Sequence, residues 1–87
     1  MSDTAYKIIL FYKFIDIGDP EALRVAQRAL CERLGLTGRV LLAEEGINAT
    51  LEGTEEMIAE YKKEMRADPR FADIVFKESI GNFDLFF

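Results

Sequence analysis

Few residues of this chain have the types and spacing that catalysis needs. The sequence contains no histidine, which is the side chain best suited to proton transfer near neutral pH and the commonest metal ligand. Its single cysteine, Cys31, cannot build a disulfide framework or a metal site. Glu44 and Glu45 form a carboxylate pair, but neighbouring side chains in a turn tend to point apart into water. The residues therefore predict no catalytic site, no metal site and no bound cofactor in this chain.

Cys31 has a functional and a structural interpretation. It lies in a predicted helix beside Leu30 and Leu34, on or next to the apolar side. A thiol that carries a persulfide needs a surrounding loop of amides and basic residues to stabilise the thiolate. A buried cysteine more often acts as a small hydrophobic side chain. The sequence favours this structural role.

Composition and charge limit the classes of protein that the chain represents. Its 87 residues with 49% hydrophobic content suit one small domain. The net charge of -5 argues against a free-standing nucleic-acid binder, whose affinity comes largely from Lys and Arg that neutralise phosphates. Lys13 interrupts the first apolar run, so the sequence predicts no signal peptide and no membrane span. A lone cysteine is typical of a reducing, cytoplasmic compartment.

Apolar periodicity and turn residues predict the order strand, helix, strand, strand, helix, strand. The first helix begins after the N-cap Asp19 and ends at Gly35, and the second is capped by Thr54 and stops before Pro69. The four strands are predicted at residues 6–15, 40–43, 47–52 and 73–77. This order predicts an α+β fold, a ferredoxin-like βαββαβ two-layer sandwich with two helices on one face of a four-stranded antiparallel sheet. We expect one domain over residues 1–87.

The apolar positions of each element predict which side faces the core. In the first strand the even positions are all apolar, so we expect them to meet the helices: Ile8, Leu10, Tyr12 and Phe14. Helical spacing and strand alternation predict the remaining inward residues, which are Leu23, Ala26, Leu30, Leu34, Ile47, Ala49, Leu51, Ile58, Tyr61, Met65, Ile74 and Phe76. The other face of the sheet is left uncovered.

This uncovered sheet face is one candidate binding surface. The odd positions of the first strand are predicted to share it with residues of other strands, giving Lys7, Ile9, Phe11, Lys13, Arg39, Leu41, Val75 and Lys77. A basic and aromatic sheet face is how RNA-recognition-motif domains stack bases, but the third strand contributes Asn48 and Thr50 and no aromatic ring. We therefore favour covering by a neighbouring domain over direct RNA contact. The candidate contact residues are Lys7, Phe11, Lys13 and Lys77.

The turn between the second and third strands is the other candidate. Gly46 is predicted to supply the positive φ that a tight turn requires. Solvated charges are the favoured interpretation of Glu44 and Glu45. The alternative is that this turn and Asn48 contact a partner domain or RNA, because Asn48 is polar and faces away from the helices.

Three motifs resemble one bacterial protein family. The chain carries Phe-Tyr-Lys-Phe at residues 11–14 and Leu-Leu-Ala-Glu-Glu-Gly-Ile-Asn at residues 41–48, and residues 66–73 with 76–79 also fit. On these motifs the chain is similar to the N-terminal acylphosphatase-like domain of the rhodanese-related tRNA uridine hydroxylases. One departure is Ala49, where the family pattern has glycine after the asparagine.

The resemblance implies a role within a longer enzyme. In that family a rhodanese-like domain of the same polypeptide hydroxylates the wobble uridine of tRNA, and the whole protein is a cytoplasmic oxidoreductase. This domain would be the non-catalytic part, which positions tRNA or the catalytic domain. The apolar residues 83–87 agree with a chain that continues, because independent domains normally finish in polar residues. The alternative is a free-standing ferredoxin-like interaction or ligand-binding module that dimerises through its open sheet face.

Acylphosphatase activity is a separate expectation to test, because the fold would suit it. Acylphosphatases hold a phosphate with an arginine and backbone amides in the loop after the first strand, assisted by an asparagine on the second. Here that loop, residues 16–20, has two carboxylates, no arginine and a proline without an amide donor. It should repel phosphate, so we predict no such activity.

Overall fold

The computed structural model describes residues 6–80, so the apolar segment 83–87 lies outside the described residues. The elements in chain order are β1 (Tyr6–Phe14), α1 (Pro20–Leu34), β2 (Thr37–Ala43), β3 (Gly46–Thr54), α2 (Glu55–Arg66), a 3₁₀ turn (Pro69–Phe71) and β4 (Lys77–Ile80). The strands form one antiparallel sheet in the order β2-β3-β1-β4. The predicted ferredoxin-like α+β fold is confirmed. Neither helix in the described part of the chain is long and apolar enough to cross a membrane.

The helix ends follow the capping residues. The Asp19 side chain accepts a hydrogen bond from the Ala22 amide at 3.1 Å, with Pro20 at the start of α1. Gly35 takes the left-handed conformation (φ 81°) and ends α1, which directs Leu36 back to donate its amide to the Cys31 carbonyl at 2.9 Å. Thr54 caps α2 through the Met57 amide at 3.2 Å. The predicted starts and ends of both helices are confirmed.

The core lies between the sheet and the helices, and a buried polar contact holds the two helices together. Tyr61 of α2 donates its hydroxyl to Gln27 Oε1 of α1 at 2.6 Å, and Gln27 Nε2 donates to the Met65 sulfur at 3.1 Å. Gln27 is buried, whereas Ala26, predicted to face inward, is exposed. Burial of Gln27 is possible because both ends of its amide have partners.

The structure corrects the predicted side of β1. Phe11 lies opposite Ala49 and Ile9 opposite Leu51, and all four side chains are buried against the helices. The even residues lie on the other face, where Leu10, Tyr12 and Phe14 are exposed and Ile8 is buried. The expectation that the even positions face the helices, and that Ile9 and Phe11 lie on the open face, is therefore wrong.

The physical reason is that Lys7 and Lys13 stand at the margins of the core, where water and carboxylates are within reach. Lys7 contacts Glu78 at 3.3 Å and Glu55 at 3.5 Å. Lys13 donates to the Arg70 carbonyl at 2.6 Å and also pairs with Asp73. Long lysine side chains can border an apolar interior in this way while the ammonium group stays partly hydrated.

The last strand also begins later than predicted. The segment 73–77 was expected to form it, but β4 comprises Lys77–Ile80. Ile74 and Phe76 do pack inward, from the connection that follows the 3₁₀ turn. The alternation of apolar residues in this connection therefore indicates contact with the core and not pairing with a neighbouring strand.

Candidate functional site

The exposed side of the sheet is built from two neighbouring cross-strand rows. In one row Leu41 lies opposite Asn48, and Asn48 opposite Tyr12. In the next row Arg39 lies opposite Thr50, Thr50 opposite Leu10, and Leu10 opposite Lys77. Together with Phe14 these side chains define the open face: Leu10, Tyr12, Phe14, Arg39, Leu41, Asn48, Thr50 and Lys77.

Two aromatic rings dominate the open face. Tyr12 is 62% exposed and Phe14 is 81% exposed, and their ring centroids are 5.7 Å apart with the planes at 65°. A shallow groove of about 450 Å³ runs beside Tyr12 toward Val75 and Lys77. A second groove, of about 220 Å³, lies between the two rings and Leu41. Exposed rings bordered by grooves leave room for flat ligands.

The charge on the open face differs from that of the whole chain. Arg39 and Lys77 are exposed at opposite edges of one row. Neither forms an ion pair with a carboxylate among residues 6–80. The two rows contain no Asp or Glu, although the chain has a net charge of -5. The next row carries Glu52 on the same side, and Asp73 and Glu45 each line one of the two grooves. The open face therefore has a cation at each edge of one row and carboxylates at its margins.

Of the four candidate contact residues predicted for this face, three lie elsewhere, as does Ile9. Lys7, Phe11 and Lys13 face the helices, so their placement on the open face is wrong, whereas Lys77 is placed as expected. The hydrogen bond from Lys13 lowers the pKa of the Asp73 carboxyl. Whether any of the four contacts RNA or another domain stays a prediction.

The β2–β3 turn is held against the connection that follows β1. The Glu44 and Glu45 carbonyls accept the amides of Ile17 and Ile15 at 2.8 and 3.0 Å. A Cβ at Gly46 would collide with the Lys13 carbonyl oxygen, so the close approach of β1 requires glycine there. Both glutamates are exposed. The turn borders the open face, because Glu45 and Gly46 line one groove together with Asn48.

The loop after β1 has the wrong chemistry for holding a phosphate. The amides of Ile15 and Ile17 already donate to carbonyls of the turn. The nearest surface hollow is lined by Ile15 and three carboxylate residues, Asp16, Glu44 and Glu45. Phosphate there would meet negative charge and few available amide donors, which supports the prediction that this loop does no acylphosphatase chemistry.

Cys31 is partly buried and packs against the core. Burial raises the pKa of its thiol, which disfavours the nucleophilic thiolate. Within residues 6–80 no three His, Cys, Asp or Glu side chains come together in a way that would hold a metal ion.

The fold and the open face define the class of the protein. Two helices on one side of a β2-β3-β1-β4 antiparallel sheet are the ferredoxin-like arrangement. Residues 6–87 match the family model of the UPF0176 acylphosphatase like domain. The chain belongs to this family.

Curated relatives agree with this assignment, and one solved structure agrees with the fold. The chain is 47% identical over 79 residues to the tRNA uridine(34) hydroxylase of Bacillus licheniformis, covering 88% of this chain and 24% of the relative. It is 45% identical over 76 residues to the enzyme of that name from onion yellows phytoplasma, covering 87% of this chain and 25% of the relative. BlrP1 BLUF superposes with a TM-score of 0.66 at 25% identity, over 93% of this chain and 57% of that one. The chain spans about a quarter of the length of the curated relatives it matches.

Proposed function

We propose that this chain is the non-catalytic N-terminal domain of a tRNA uridine(34) hydroxylase, and that it positions tRNA for a catalytic domain in the same polypeptide. The observation that carries the proposal is the 42 to 49% identity to hydroxylases of that name over most of this chain. Because the match covers only 22 to 25% of those enzymes, the rest of their length is available for the reaction. The family resemblance implies a rhodanese-like fold for that part.

The chemistry of the described residues supports a non-catalytic role. Burial raises the pKa of the Cys31 thiol, which disfavours the thiolate form that acts as a nucleophile. The loop after β1 presents carboxylates and amides that already have partners. The relatives favour this role over a free-standing module that dimerises through the open face, since their matched segment is one part of a longer enzyme. A tRNA substrate also implies a cytoplasmic enzyme.

A domain exchange tests the proposal directly. The Bacillus licheniformis enzyme would receive this chain in place of its own matching N-terminal segment, which the 47% identity makes feasible. The chimera would be expressed in a bacterium that lacks its own hydroxylase, and hydroxylated uridine at position 34 would be measured by mass spectrometry of tRNA digests. We expect the chimera to restore the modification and the 87-residue chain alone to give none.

The control is the same enzyme with its N-terminal domain deleted, which we expect to have much lower activity. A folded chimera that accumulates to the level of the parent enzyme but leaves uridine 34 unmodified would contradict the proposal. So would full activity of the deleted enzyme, because the domain would then have no positioning role.

A further inference from the structure

We propose that the open face is a stacking platform for unpaired nucleotides of the tRNA anticodon loop. Tyr12 and Phe14 supply the stacking rings, and Arg39 and Lys77 contact the phosphates on either side. This inference rests on the proposed function and specifies the surface and the part of tRNA that it takes. Position 34 lies in the anticodon loop, where bases are not paired along a helix.

Tyr12 and Phe14 form an exposed aromatic pair that can stack on bases. Both rings project from the central strand β1, and both are more than half exposed. They meet edge to face, so the face of at least one ring is open to a flat partner. Single-stranded RNA is recognised by stacking its bases on exposed aromatic side chains of a sheet. Paired bases of a stem are stacked on each other and cannot use such rings.

The open face carries two cations that are placed to contact phosphates. Arg39 and Lys77 lie at the ends of a row that crosses all four strands, which places them about 14 Å apart at the usual strand spacing. The neutral residues Thr50 and Leu10 lie between them. A polyanion that follows this row meets a cation at each edge, whereas the next row carries the carboxylate of Glu52.

Asn48 adds hydrogen-bonding groups to the open face. Its side chain is exposed between Leu41 and Tyr12, and a primary amide offers both donors and an acceptor to a base edge. An amide and a hydroxyl between two edge cations, beside exposed aromatic rings, offer RNA contacts to base edges, phosphates and base faces together.

Binding of a loop RNA to the 87-residue chain tests the inference. The probe is an anticodon stem–loop RNA with uridine at position 34, compared with a fully paired RNA of equal length. Ring proton resonances of Tyr12 and Phe14 would be followed by NMR, which detects weak binding. We expect the stem–loop to shift both rings and the duplex to shift them little. Equal shifts with both RNAs, or no shift with the stem–loop, would overturn the inference.

Substitutions separate stacking from general apolar contact. Tyr12→Leu with Phe14→Leu keeps an apolar surface but removes the rings, and we expect stem–loop affinity to fall at least about tenfold. Tyr12→Phe keeps the ring and should bind nearly as well as the original chain. The matched control is Val25→Ala on α1, because Val25 is exposed to the same 62% as Tyr12. Unchanged affinity of the double leucine variant would show that the rings do not stack bases.

Salt dependence tests the phosphate contacts. Arg39→Gln and Lys77→Gln should each reduce the slope of log affinity against log salt concentration by about 0.7, the value for one phosphate of a single strand. Lys63→Gln on α2 is the matched control and should leave the slope unchanged. Equal slopes for all three variants would contradict the assigned contacts.

The domain exchange distinguishes failure of this inference from failure of the proposed function. A chimera that modifies uridine 34 equally well with and without the double leucine change would overturn the stacking platform while leaving the positioning role intact. The double leucine change could instead lower the stability of the chimera without any other effect on modification. That result would show that the rest of the polypeptide covers the face, and it also overturns the platform.

Discussion

Both sides of β1 carry apolar side chains, but the two sides differ in how far these side chains are buried. The helix side buries Ile9 and Phe11 and ends at lysines that are paired with carboxylates or a carbonyl. The open side exposes Tyr12 and Phe14 in water. Ile9 and Phe11 stabilise the fold by burial, and so does Ile8 on the open side, whereas the exposed Tyr12 and Phe14 contribute little to it. Apart from Ile8, the strand therefore serves stability on the helix side and offers residues for binding on the open side.

The largest expected effect is on the free energy of unfolding, and it separates the adjacent residues Phe11 and Tyr12. Phe11→Ala should lower the free energy of unfolding by about 3 to 5 kcal/mol, because Phe11 is buried against Tyr61 and Phe76. Tyr12→Ala should lower it by less than about 0.5 kcal/mol, because most of that side chain is already in water. Urea denaturation of both variants measures the difference. Equal losses would mean that the two sides of β1 have been misassigned.

A smaller effect is expected between the helices. Tyr61→Phe removes the hydroxyl that donates to Gln27 Oε1 and leaves a buried acceptor without its partner, at a cost of about 1 to 3 kcal/mol. Gln27→Leu with Tyr61→Phe removes both polar groups and should recover part of that loss. Denaturation of the single and double variants provides the comparison. A double variant less stable than Tyr61→Phe alone would contradict the expected coupling.

The next effect is small and depends on pH. Hydrogen bonds from Arg70 lower the pKa of the Asp68 carboxyl. A folded pKa below the unfolded value means that the contribution is present above about pH 4 and is lost as the pH falls through the folded pKa. Asp68→Asn should therefore reduce stability at pH 7 by less than about 1 kcal/mol. Near pH 2 the variant and the original chain should be about equally stable, and a constant difference across this range would contradict the assignment.

Substitution of Cys31 should have the smallest effect of these changes, and no effect on activity. Cys31→Ala in the chimera should leave hydroxylation of uridine 34 unchanged once expression is matched, because burial disfavours the thiolate and the side chain belongs to the core margin. Mass spectrometry of tRNA measures the modification. Loss of hydroxylation in a variant of unaltered stability would assign the thiol a catalytic role.

The sequence predicted the fold well because its strongest signals are local. Asp19, Gly35 and Thr54 act on the backbone next to them, and the alternation of Ile47, Ala49 and Leu51 with polar residues indicates one buried side. These features need no knowledge of distant residues. The element order then leaves few arrangements other than the ferredoxin-like sheet.

The candidate site was harder to predict because β1 is apolar on both sides. Counting apolar residues favours the even positions, while the structure buries Ile9 and Phe11 against the helices and, of the even residues from Ile8 to Phe14, only Ile8. The decisive interactions are distant in sequence, since Lys7 meets Glu78 and Lys13 meets Asp73. Tyr12 and Phe14 were therefore missed as surface residues. Their exposure follows from the pairing of β1 with β3, which places Phe11 beside Ala49.

The measurement that tests the central claim most directly compares two surfaces in the chimera. One variant carries Tyr12→Leu with Phe14→Leu on the open face, and the other carries Glu44→Ala in the β2–β3 turn, where the Glu44 side chain lies outside the grooves beside the rings. Hydroxylated uridine at position 34 is quantified for both at equal protein level and stability. We predict that the open-face variant loses most of the modification and that the turn variant retains it. Full modification with the open-face variant and loss with the turn variant would contradict the account.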